Sequence, residues 1–93
     1  MVIGVVTARL HLSDSQSLKD KRRVIKSLKD RALARMNVSV AEIGDQDKWQ
    51  VAEMAFVTVG ANSEIVQNRI ADISKFIRSD PRYVLLDLHT EMM

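Results

Sequence analysis

Cysteine is absent from the 93 residues, so the chain has neither a disulfide framework nor a thiolate-held metal. No internal repeat, linker or low-complexity segment interrupts it. Its apolar beginning carries no basic leader, and Thr7 and Arg9 break the run before a signal core forms. Nothing approaches the roughly 20 consecutive apolar residues of a membrane span. No G-x-S-x-G, P-loop or H-E-x-x-H motif occurs. An acylphosphatase-type cradle needs glycine after the first strand, and Ser13-Asp14-Ser15-Gln16 has none. The expectation is one cytoplasmic domain over residues 1–93, with no catalytic residue, cofactor, metal or membrane contact.

What is present is a basic stretch, Ser17 to Met36. It holds eight of the fourteen Lys and Arg residues against two acidic ones, a charge of +6, leaving −4 elsewhere in a chain of net charge +2. The apolar share of 46% is ordinary for a folded domain. Val2 to Leu12 alternates with period two, which predicts a strand whose Val6, Ala8, Leu10 and Leu12 face a core. Ser17 predicts a helix cap, with Asp20 replacing the usual Glu of a capping box. Leu18, Ile25, Leu28, Ala32 and Met36 mark the buried stripe of that helix.

Val38 to Ile43 and Trp49 to Gly60 read as strands joined by a hairpin at residues 44–48. Asn62 caps a second helix that Asp80-Pro81 ends. Tyr83 to Glu91 alternates again, with Leu85, Asp87 and His89 on one side. The order βαββαβ predicts an α+β, ferredoxin-like sandwich: an antiparallel sheet in order 4-1-3-2 with both helices on one face. His11 and His89 fall on the open face some 20–25 Å apart by strand length, too far for a metal pair.

This topology gathers Ser17 to Arg23, the hairpin, Trp49, Gln50, Arg78 and Arg82 at one end. Lys19, Lys21, Arg22 and Arg23 occupy the first turns of a helix, where the macrodipole disfavours cations. Two readings follow. The cations and free N–H groups hold a phosphate, as in RNA, or Asp45 and Asp47 of the hairpin neutralise Lys19 or Arg22. The candidate anion- or RNA-binding residues are Ser17, Lys19, Lys21, Arg22, Arg23, Lys26, Trp49 and Gln50. Trp49 either stacks on a base or, the expectation here, packs under a neighbouring loop. The open face carries Ile3 and Val5, with Leu85 beside them and no aromatic on the first strand. That argues against base stacking on the sheet and for a covering subunit.

Ser17-Leu18-Lys19-Asp20-Lys21-Arg22-Arg23, then Asn37-Val38-Ser39-Val40-Ala41-Glu42 and Asp47-Lys48-Trp49-Gln50, resemble the YlxP-like family of small bacterial proteins of unknown function. The likeness covers almost the whole chain. It implies a ferredoxin-like fold and a bacterial cytoplasmic setting. It also implies, through genes that commonly neighbour those of transcription elongation and translation initiation, a link to RNA or ribosomes. The expected function is a non-catalytic RNA- or ribosome-associated module. The alternative is a homo-oligomeric interaction or ligand-sensing domain, paired through the open sheet face or the edge strand at Val38–Val40.

Overall fold

The computed structural model describes residues Met1–Met93. In chain order the elements are β1 (Val2–His11), α1 (Leu18–Arg35), β2 (Ser39–Gly44), β3 (Val51–Gly60), α2 (Ser63–Arg78) and β4 (Val84–Met92). All strand pairs are antiparallel, in the order β2-β3-β1-β4. That is the expected 4-1-3-2 sheet read from its other edge.

The period-two pattern decides which face is covered. Val6, Ala8, Leu10 and Leu12 of β1 and its extension join Ala52, Met54 and Phe56 of β3 in one core. Leu28 and Ala32 of α1 and Ile73, Phe76 and Ile77 of α2 complete it. Both helices therefore lie on the same side of the sheet, and the other side has no layer over it. α2 approaches β1 closely at Gly4, where a Cβ would stand 2.7 Å from Val66 Cγ1. Asn62 accepts the Ile65 N–H (3.0 Å) and caps α2 as predicted.

Two edge-strand irregularities modify the predicted alternation. In β4 the register shifts so that Arg9 faces Asp87 while Leu10 faces Leu85, leaving Leu86 as an extra residue. This bulge turns Leu85 to the same side as Leu88, and both pack against the core. Leu85 therefore does not lie on the open face as the uninterrupted alternation implied. In β2 the shift falls between Glu42 and Gly44, making Ile43 the extra residue. The register also corrects the histidine separation. His89 faces Thr7 and His11 faces Val84, so four residues and one strand spacing separate them, roughly 14 Å. That is nearer than strand length suggested, and still beyond the reach of one metal ion.

The turn after α2 is held by Asp80, whose carboxylate is almost fully buried. Arg82 donates to it through its backbone N–H (2.9 Å) and its guanidinium (2.6 Å), and Arg31 of α1 reaches it at 3.0 Å. Burial alone would raise the Asp80 carboxyl, but the Arg82 hydrogen bonds and the charges of Arg82 and Arg31 outweigh it and hold it below its ordinary value. Next to it, Tyr83 donates its hydroxyl to the Ile77 carbonyl at 2.5 Å. Burial, then the Asp80 charge, pushes that phenol well above its ordinary value.

These two groups contribute to the pH dependence of stability with opposite sign. The folded chain keeps the Tyr83 proton that the unfolded chain loses above about pH 10, so stability falls as pH rises past that point. Asp80 acts oppositely: its contribution is present above about pH 4 and is lost as pH falls through its lowered folded value. Thermal unfolding followed by circular dichroism should show an alkaline loss that Tyr83→Phe reduces, at a cost of ~1 kcal/mol near neutrality. An unchanged alkaline limb in that variant would refute the assignment.

Candidate anion-binding surface

The predicted convergence at one end is present, and a single side chain organises it. Lys21 lies on the inner stripe of α1, between Leu18 and Ile25 at helical spacing, and is 0% exposed. Its ammonium donates to the carbonyls of Asp45 (2.7 Å) and Val51 (3.0 Å) and lies 2.8 Å from Glu42 Oε2. The Glu42 oxygen receives no well-directed hydrogen bond, so that contact is chiefly charge attraction. Lys21 thus ties the start of α1 to both arms of the β2–β3 hairpin. Asp45, at φ 59, occupies the left-handed position of that hairpin, which Asp tolerates better than most residues.

Two other predicted site residues are committed to the same joint. Ser17 Oγ accepts the Asp20 N–H (3.1 Å), and Asp20 Oδ2 accepts the Gln16 N–H (2.9 Å). The capping box therefore reaches one residue further back than its usual form. Gln50 Nε2 donates to the carbonyls of Ser13 (3.1 Å) and Ser15 (3.0 Å), fastening the loop before α1 to the hairpin. The helix pole already has a carboxylate beside it. The cleft alongside, about 230 Å³, is lined by Leu12, Asp14, Ser15, Asp20, Val24 and Arg82. Its two carboxylates face one guanidinium that Asp80 already holds, so it is unsuited to phosphate.

The expected neutralisation by the hairpin does not occur either. Asp45 pairs with Lys48 (3.1 Å) and Arg9 (3.6 Å). Its contact with Lys48 lowers the carboxyl, burial opposes this, and the Lys48, Arg9 and Lys21 charges lower it further. Lys19, Arg22 and Arg23 are exposed and none of them reaches a carboxylate. Lys26 pairs with Asp30 at 2.7 Å in an exposed i,i+4 contact of the kind that contributes little. Trp49, expected under a loop, precedes β3 and is 57% exposed.

The cations left over form a ridge rather than a pole. Lys19, Arg22, Lys26 and Lys29 follow i, i+3, i+7, i+10 spacing, with Arg23 beside them, so they share the outer face of α1. Lys29 was not among the predicted residues; its position three after Lys26 was the available signal. Arg31 and Arg35 lie apart, with guanidiniums 5.3 and 5.8 Å from the Phe76 ring centroid.

Removing Lys21 should act on stability first. Lys21→Met leaves Glu42 and two carbonyls without their cation, a loss of ~3–5 kcal/mol. Lys19→Ala and Arg22→Ala should stay within about 0.5 kcal/mol. Urea unfolding of the three variants separates these cases. An unchanged midpoint for Lys21→Met would show that the buried contact does not hold the hairpin.

Residues 3–90 match the family model described as protein of unknown function (DUF503). The chain is also 32% identical over 80 residues to the uncharacterized protein YlxP of Bacillus subtilis (strain 168), covering 86% of this chain and 87% of that protein.

Proposed function

The chain belongs to the DUF503 family, and from its own surface chemistry we propose that this YlxP-like protein is a non-catalytic module that binds RNA, free or on the ribosome. The architecture, in this reading, is of the ferredoxin-like class. The binding surface is the outer face of α1, with Lys19, Arg22, Arg23, Lys26 and Lys29 as phosphate contacts. The observation that carries it is that Lys19, Arg22, Arg23 and Lys29 lie together on the outer face of one helix, exposed and without a carboxylate partner.

Magnitudes agree with this assignment. The ten residue steps of helix from Lys19 to Lys29 rise ~15 Å. At one phosphate per 3.4 Å of axis on a strand, that length meets roughly four phosphates. Exposed Trp49, at the same end, supplies a face on which one base can stack, a contact worth ~1–3 kcal/mol. The ridge supplies charge without base readout, so the expected preference is for backbone and accessible single strands. A second reading, self-association, uses the opposite side of the domain and does not compete for this surface.

Binding to ribosomal RNA fragments should show a log–log salt slope near −3 for single strands, as about four phosphate contacts require. Arg22→Ala combined with Arg23→Ala should reduce that slope by about one to two and weaken binding across sequences. Trp49→Ala should weaken binding with the slope unchanged. Absent affinity, or affinity indifferent to Arg22 and Arg23, would refute the proposal.

A further inference from the structure

We infer that a second copy of this chain covers the open sheet face, with β3 of one protomer lying over β1 of the other. The face is laid out in rows by the strand register. Val59 sits beside Ile3, and Ile3 exchanges backbone hydrogen bonds with Met93 (2.7 and 2.9 Å). The next row holds Ser39, Val57, Val5 and Glu91, followed by Ala41, Ala55, Thr7 and His89. Then comes a charged row, Glu53, Arg9 and Asp87. Val57 and Val59 are 37% and 46% exposed, in a chain whose helices cover only the other face.

The order of these rows makes the surface self-complementary. A two-fold axis parallel to the strands, passing between β3 and β1, preserves each row and exchanges the two strands. Val57 then meets the partner's Val5, Val59 meets the partner's Ile3, and small Ala55 meets the partner's Thr7. Glu53 meets the partner's Arg9, and the symmetry repeats that opposite-charge contact. Arg9 is available for it, because its intramolecular contact with Asp45 is long, 3.6 Å, and half exposed. Aligned sheet packing accepts this geometry with a rotation of about 30° between the sheets.

Three strands ~30 Å long and the shorter β2, six residues or ~20 Å, lie ~4.8 Å apart and project to roughly 530 Å² per partner before side-chain relief. That is below the roughly 800 Å² of a standard interface, but the total of about 1,060 Å² fits a small, reversible one. The edges offer a poorer route. Each outer strand carries a bulge, at Ile43 in β2 and Leu86 in β4, and bulged edges resist strand addition. Such a dimer places its two basic α1 ridges on opposite outer sides, where they contact separate stretches of nucleic acid. The association itself does not depend on RNA binding.

Sedimentation equilibrium of the full chain over the micromolar range tests the inference. A reversible dimer is expected, weakened at least about tenfold by Glu53→Arg or Arg9→Glu and recovered when both are combined in one chain. A strict monomer overturns it, as does a dimer indifferent to both reversals. A cross-linking experiment stands beside this and needs no charge reversal, because the chain has no cysteine of its own. Mixed Thr7→Cys and Ala55→Cys chains, each folded by circular dichroism, should form a disulfide-linked heterodimer faster than either forms a homodimer. No preference for the heterodimer would overturn the pairing.

Discussion

The end of this domain that carries the hairpin depends on one buried ammonium. Taking a lysine out of water costs several kcal/mol unless its partners are well placed. Here two carbonyls and a carboxylate converge on Lys21 Nζ. Those partners come from the end of β2, the left-handed turn and the first residue of β3, so the bond fixes all three against α1. Gln50 then fixes the loop that leads into the helix. Without Lys21, the hairpin has little apolar packing to replace it, since Trp49 and Ile43 face solvent.

That commitment divides the basic residues of α1 into three kinds. Lys21 points inward and belongs to the frame. Arg31 and Arg35 lie over Phe76, and Arg31 also neutralises buried Asp80. Lys19, Arg22, Arg23 and Lys29 retain exposed charge, with Lys26 loosely paired among them. The excess of positive charge on this helix is therefore not one site. Only its outer face keeps several exposed cations together, and that face runs along the helix rather than across its end. The Ser17–Asp20 cap explains why the end is unavailable: its carboxylate stands where an external anion would have to sit.

Element order and sheet order were legible because they rest on periodicity, which here is strong and little interrupted. Both helix caps were legible too, from Ser17 and Asn62. Less visible were features in which one residue departs from its element's pattern. The bulge at Leu86 left a run of Leu and Val on both sides, so the sequence alternated acceptably with Leu85 on either face. Lys21 sits on the apolar stripe of α1 by spacing, but its charge suggested solvent. Its partners, two of them backbone carbonyls, leave no trace in side-chain patterns. Trp49 was expected to pack because lone tryptophans usually do, yet β3 starts two residues later and leaves it outside the sheet.

The division of α1 into an internal and an external set of cations is tested most directly by amide chemical shifts during titration with a single-stranded RNA. The expected result is perturbation confined to the Lys19–Lys29 face and Trp49, with Lys21, Glu42 and Val51 little moved and their amides protected from exchange throughout. Perturbation centred on β1 and β3, or on the buried Lys21 joint, would contradict the account.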